Sequence, residues 1–304
     1  VRLAPPILAL AVCASLAATS YAKPRIAYQR STTTGSATRA NLFTMKPDGT
    51  DAFQVTHNHP PVLNNDPDWK PDHKRLVFQS RRPATTNLWI VKSSGRDLTQ
   101  LTHGDRLDAD PSWAPDGKRI AFARATRPAG DDQSLFDLFT VHPDGSGLRK
   151  LTRGAASSRS PDWSPDGRSI AFQRTSGGDP PQIWRMRSGG SHLKRLTDVA
   201  NGANAPAWSP DGRLVAFSSP IGLAFEIFVA PASGGTAKQV THDGAGTFND
   251  DPAWSPDSKR ILFSTSHSPP GGANIASIKP SGHGRRVIKQ DARGQKVYGA
   301  PAWD

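Results

Sequence analysis

Carboxylates recur at one place in this 304-residue chain. Asp66, Asp110 and Asp251 each stand directly before a Pro-x-Trp triplet, where the other copies carry Ser160, Ala205 and Ala300. Arg159, Asn204, Asp250 and Tyr298 lie within two residues of those positions, with Asn64, Asn65, Asp108 and Asn249 close by. If the copies converge on one opening, three to five carboxylates with amides would surround it. Oxygen ligands of that kind suit a hard cation such as Ca²⁺, but equally sugar hydroxyls or a basic peptide. A plainer role is also open, in which each Asp caps a local Asx turn before its Pro. No DxDxDG spacing occurs, so the case for Ca²⁺ is weak, no metal ligands are assigned and no cofactor is expected. The ligand-binding set nominated from sequence is Asp66, Asp110, Arg159, Asn204, Asp250, Asp251 and Tyr298.

Other chemistry is less well represented. His57, His103 and His242 each follow a Thr at equivalent repeat positions and read as loop residues. The chain has no HExxH and no GxSxG, and its glycines fall at hairpin turns rather than between a strand and a helix. No catalytic residue is nominated.

The elements that must position the carboxylates come from the repeat itself. PDWKPDHKRLVF begins at Pro67, PSWAPDGKRIAF at Pro111, PDWSPDGRSIAF at Pro161, PAWSPDGRLVAF at Pro206 and PAWSPDSKRILF at Pro252, with a sixth start, PAWD, at Pro301. A period of about 40–50 residues marks a stacked or radial array. Each copy reads as four short strands. The first ends at Trp, and a turn such as Ser209-Pro-Asp-Gly leads into the second, RLVAF and its equivalents. In that turn Pro presets φ, and Gly takes the left-handed position. The third strand is NLFTM, NLWIV, DLFTV, QIWRM, EIFVA or NIASI. The fourth follows a Gly turn and usually ends in Leu-Thr or Val-Thr. One such sheet cannot bury both faces alone, whereas sheets packed around an axis can. The fold class expected is all-β, a six-bladed β-propeller of four-stranded antiparallel blades. The closing blade is expected to be built from both chain ends, because the first strand is missing near residue 24 and unpaired at 299–304. Approximate blades are 24–58 with 299–304, then 66–104, 110–154, 160–199, 205–244 and 251–291. The second-to-third connections, such as 29–40 and 218–225, read as long irregular loops on one face. Function usually sits on such loops.

Glycine and proline number 27 each, as many short strands and tight turns require, and the formal charge is +12. The basic residues are scattered, without the cluster and exposed aromatics of a nucleic-acid groove. Anionic glycans or an anionic envelope surface fit that charge better. The first 22 residues read as a signal peptide: Arg2, an apolar run from Ile7 to Ala18, then Ser20 and Ala22 before the expected cleavage. The lone Cys13 lies inside this segment, and the bulky Val12 before it argues against lipoprotein anchoring. Residues 23–304 are then the propeller, without cysteine. The expected location is periplasmic or extracellular.

The recurring PAWSPDGxxIAF, third-strand and Leu-Thr motifs resemble the TolB-type, WD-repeat-like propeller family over about 24–304. TolB proper carries an α/β domain before its propeller, and this chain is expected to be the propeller alone. The resemblance implies an extracytoplasmic protein used for binding. The expected function is a non-enzymatic scaffold, monomeric and without a transmembrane segment, that binds an envelope or extracellular protein, peptide or glycan through its loop face and channel mouth. The alternative is a propeller-fold polysaccharide lyase or hydrolase with acid and base groups at the channel mouth.

Overall fold

A computed structural model describes residues 24–34, 37–83, 85–128, 135–267, 271–290 and 296–303. The expected signal segment, with Cys13, lies outside these residues. Twenty-four strands form, and no helix occurs among the described residues. They pair into six antiparallel sets of four, an arrangement consistent with six blades. Each set is named here by the Trp that ends its innermost strand. Those strands are Leu63–Trp69, Arg106–Trp113, Ser157–Trp163, Asn204–Trp208, Thr247–Trp254 and Lys296–Trp303. The Trp303 strand pairs antiparallel with Ile26–Thr34, so the first and last described strands share one sheet.

Strand periodicity explains why the sheets stack. In the second strand Ile170, Ala171 and Phe172, the outer two side chains point to one face and the alanine to the other. Ile170 and Phe172 pack with Trp163 against Ala121, Ala123 and Leu138 of the preceding blade. Ala171 packs on the opposite side, beneath Trp208, Val215 and Phe217 of the following blade. Large side chains of one blade thus fill the alanine-lined face of its neighbour. Six such clusters exist, one per blade interface, including one that joins Ile26, Tyr28 and Met45 to Leu262 and Ile275. That last cluster closes the ring.

Two repeated polar motifs are structural. In the SPDG turn, Asp211 Oδ1 accepts from Ser209 Oγ at 2.6 Å and from the Arg213 amide at 3.0 Å. These bonds hold the Asp211 carboxyl below its ordinary range. The Thr that ends the fourth strand locks it to the third. Thr197 Oγ1 accepts from the Ile183 amide at 2.9 Å and donates to Gln182 Oε1 at 2.9 Å. Asn41, Asp137 and Glu226 take the acceptor's place in other blades.

Two connections expected as irregular loops are strands. Residues 26–34 and 37–45 pair out to Thr34↔Ala37 because the β-branched run Thr32-Thr33-Thr34 extends the hairpin. Residues 214–221 and 224–231 pair out to Ile221↔Ala224, with Gly222 supplying a positive φ of 58° in the two-residue turn.

The third-to-fourth turn of each blade rests on the preceding blade. A Cβ on Gly95 would lie 2.7 Å from Val55 O, and one on Gly190 would lie 2.7 Å from Leu151 O. Gly49 repeats the contact across the ring closure, facing Ile288 O, and its φ is +84°. Gly49→Ala should therefore lower stability by at least about 2 kcal/mol, since neither the backbone opposite nor the left-handed φ can adapt. Gly178 has no heavy atom within 4 Å of a built Cβ, so Gly178→Ala should stay within about 0.5 kcal/mol of the parent. Chemical denaturation of both variants checks this, and equal midpoints would refute the account of closure.

Candidate functional site

The innermost strands are kinked at the same place in at least five blades. Asp66, Asp110, Ser160, Ala205 and Asp251 have φ of 51°, 53°, 48°, 47° and 50°. Each directly precedes Pro, which has no amide to donate to the sheet. The pairing register slips there, for example from Asn65↔Gln79 to Asp68↔Val77. A left-handed non-glycine residue costs about 1–2 kcal/mol, so one repeated around a ring is imposed by the scaffold. A regular strand would turn adjacent residues to opposite faces. The bulge instead lets three successive positions, such as Asp66, Pro67 and Asp68, line one central channel of about 320 Å³.

The channel wall therefore has two polar tiers. One holds Asp66, Asp110, Ser160 and Asp251. The other lies beyond the prolines and is lopsided: Asp68, Ser112 and Asp162 on three adjacent blades, then Ala207, Ala253 and Ala302 on the other three. The sequence reading missed this second tier. The signal was present as PDW and PSW against PAW, but without the bulge the position after Pro has no reason to face the channel.

These second-tier carboxylates tie neighbouring blades. Asp68 Oδ2 accepts from the Trp113 amide at 2.6 Å, and Asp162 Oδ2 from the Trp208 amide at 2.6 Å. Ser112 Oγ donates to Asp162 Oδ1 at 3.4 Å. Both carboxyls are pushed from an ordinary 3.8 up to about 7. Desolvation is the main cause, partly offset by those amide bonds. Asp66 is also raised to about 7, by desolvation first and then by Asp110, with Arg159 opposing and Asp250 reinforcing. All three keep partial exposure, but only to a narrow channel walled by protein, which solvates a charge far less well than open water.

The nominated residues divide into two groups. Asp66, Asp110 and Asp251 line the channel. Asp110 is not capping its own turn: its Oδ2 accepts from Ser160 N at 3.1 Å, Ser160 Oγ at 3.3 Å and Arg159 Nε at 3.3 Å, all from the next blade. Arg159 also stacks over Phe136, 4.2 Å from the ring centre. Asp250 is turned to the scaffold, where its Oδ1 accepts from Ser218 Oγ at 2.5 Å and from the Asp251 amide at 2.9 Å. Asn204 sits on the inner strand opposite Ser218. Tyr298 lies on the closing strand opposite Arg30, and its side chain is outside the described residues. Three neighbours serve packing instead: Asn64 donates to Thr56, Asn249 to Glu226, and Asp108 accepts a two-point ion pair from Arg124 at 2.6 and 2.7 Å. His57, His103 and His242 are exposed. Among the described residues, no three His, Cys, Asp or Glu side chains form a group that could hold a metal ion.

This geometry is that of a repeat-built β-propeller with an acidic axial channel. The sequence matches the TolB beta propeller domain family over residues 17–304, and the chain belongs to that family. Solved structures share the fold. TolB from Acinetobacter baumannii superposes with a TM-score of 0.75 at 22% identity, covering 92% of this chain and 66% of that one. This chain thus spans about two thirds of that protein's length. A putative TolB from Agrobacterium tumefaciens gives 0.68 at 17% identity, covering 93% and 99%. Oligogalacturonate lyase from Vibrio parahaemolyticus gives 0.58 at 12% identity, covering 84% and 74%. No functionally curated protein matches the sequence.

The raised carboxyls set a pH dependence of definite sign. Between about pH 4 and 7 the folded chain holds protons on Asp66, Asp68 and Asp162 that the unfolded chain has released. Their contribution to stability is thus full below pH 4 and lost as pH rises through 7. Asp68→Asn with Asp162→Asn keeps an acceptor for both Trp amides and removes both charges. The double variant should gain Tm relative to the parent at pH 8 and little at pH 4.5, each pKa unit being worth up to about 1.4 kcal/mol before screening. Parallel Tm curves from pH 4.5 to 8 would overturn this.

Proposed function

We propose that the protein is an exported, non-enzymatic binding propeller that engages a protein, peptide or glycan of the envelope or extracellular space. The site is the channel mouth with the long hairpins around it. The observation that carries this reading is the ring of Asp66, Asp110 and Asp251 on a left-handed kink repeated from blade to blade. A rigid ring holds these groups without loop closure, so little ordering cost falls on binding. Arg159 pairs with Asp110, and Asp66 and Asp251 add two further carboxyls to the channel wall in a chain of formal charge +12. A ligand presenting ammonium or guanidinium groups, or several hydroxyls, complements it.

Export is supported by the N-terminal segment read from sequence. No helix among the described residues is long and apolar enough to cross a membrane. The shared fold with a lyase gives the enzymatic alternative a precedent. The three loop histidines do not line the channel, so the acid and base groups of that alternative would be the carboxyls themselves.

The test is affinity capture from envelope and secreted fractions, comparing the parent with the Asp66→Ala, Asp110→Ala, Asp251→Ala triple variant. The expected result is a discrete partner or glycan retained by the parent and reduced at least about tenfold by the variant. The variant removes three channel-facing carboxyls, among them Asp110 with its bonds to Ser160 and Arg159, so Tm is measured alongside to show that it is folded. Equal retention by both proteins would remove the channel mouth from the function.

A further inference from the structure

Charge is unevenly placed on the face that carries the tight turns. Each blade presents there a first-to-second turn and a third-to-fourth turn. In the SPDG-type first-to-second turns charge balances one for one: Arg168, Arg213 and Lys259 follow Asp166, Asp211 and Asp257 by two residues. The third-to-fourth turns differ around the ring. Those of the Trp303, Trp69 and Trp113 blades contain Asp48, Asp97 and Asp144, and Lys92 pairs with Asp97 at 2.5 Å. From the Trp163 blade through the Trp254 blade the corresponding stretches, 185–194, 230–239 and 277–286, hold no carboxylate. Arg187, Lys194, Lys238, Lys279 and Arg286 are all exposed there, and none has an ion-pair partner among the described residues.

Neutral bonds hold two of these cations without cancelling their charge. Lys194 Nζ donates to Ser233 O at 2.8 Å and Lys238 Nζ to Ser281 O at 3.4 Å, each on the next blade's turn. Desolvation and then the charge of Arg286 hold the Arg260 guanidinium below its ordinary range, with Asp257 opposing. Like charges are therefore close together here. The three turns are also built alike. The amides of Gly190, Gly234 and Gly282 donate to Arg187 O, Pro231 O and Lys279 O at 2.8, 2.8 and 2.9 Å. Equal turns at equivalent blade positions make a level sector rather than a deep pocket. Apolar side chains stand among the cations. Leu193, beside Lys194, is 48% exposed, and Val287, beside Arg286, is 56% exposed. Val287 and Ile288 also line a cleft of about 810 Å³ that Lys279 and Arg286 border.

We propose that this three-blade sector docks on the surface of a bilayer containing anionic phospholipid. The uncompensated cations attract the phosphate headgroups, and Leu193 and Val287 enter the boundary between headgroups and acyl chains. A soluble polyanion would satisfy the cations and leave both apolar side chains in water. A bilayer takes up both kinds of group, which decides between the two partners. The loop face, with the channel mouth, then points away from the membrane. Docking is thus independent of what binds in the channel.

The test is cosedimentation with vesicles of phosphatidylcholine alone or of phosphatidylcholine and phosphatidylglycerol at about 3:1. The chain from residue 23 is used, because it holds the whole ring and lacks the apolar run 7–18 that would itself bind lipid. Binding to the mixed vesicles, none to phosphatidylcholine, and loss of binding in high salt are expected. Arg187→Glu, Lys279→Glu and Arg286→Glu together should weaken partitioning at least about tenfold. Arg81→Glu, Arg106→Glu and Arg153→Glu change exposed residues on the loop face by the same charge and should weaken it less than about threefold. Leu193→Ser with Val287→Ser should weaken vesicle binding about threefold or more, yet leave retention on heparin unchanged. Circular dichroism shows that each variant is folded. No binding to the mixed vesicles, equal binding to both kinds, or equal loss in the two charge variants would each overturn the proposal. Vesicle binding unchanged by the Leu193 and Val287 substitutions would overturn it in favour of a soluble polyanion.

Discussion

Everything in this molecule depends on blades burying one another's faces. A four-stranded sheet with a two-residue outer strand, such as Lys194–Arg195, has too little surface to be stable alone. Its Trp, Ile and Phe side chains are buried only when the alanine face of the preceding blade meets them. That need is satisfied for all blades only if the array closes. Closure is provided by the pairing of Lys296–Trp303 with Ile26–Thr34 and by the packing of Tyr28 and Met45 on Leu262 and Ile275. The tight approach of Gly49 to Ile288 is the same requirement felt by the backbone.

The channel follows from that packing. In at least five of the six inner strands a bulge before Pro turns one residue left-handed. The consequence is chemical. Three consecutive side chains per blade reach the axis rather than alternate ones, so carboxylates gather where water is scarce. Asp68 and Asp162 use the position to hold the next blade's Trp amide. Asp66 and Asp251, with Asp110 bound to Arg159 and Ser160, form the outward tier. The same group of residues thus contributes to ring cohesion and to an acidic surface. Its two tiers are set apart by a proline ring with no amide to donate.

On the turn face, equivalent repeat positions bond differently. Arg260 and Ser277 complete a hydrogen-bonded floor, while Arg119 and Thr140, at equivalent positions, do not. The channel shows the same principle in its PDW, PSW and PAW variants.

Much of the fold was legible in the sequence. The Trp-Pro-Asp-Gly spacing, the alternation of second strands such as IAF, and the split first strand are local or periodic signals, and they dictate strands, turns and a ring. The SPDG aspartates read correctly as turn residues because their partners lie two positions away along the chain. Asp66, Asp110 and Asp251 could be placed near the axis from the repeat alone. What only tertiary structure decided depends on contacts between repeats. These are the left-handed kink that also turns Asp68 and Asp162 inward, the cross-blade bonds of Asp110, and the diversion of Asp250 to Ser218. The cross-blade bonds join residues about 30–50 positions apart in sequence, as between Asp110 and Ser160 or Asp250 and Ser218. Periodicity within one repeat carries no record of which neighbour a side chain will meet once the ring has closed.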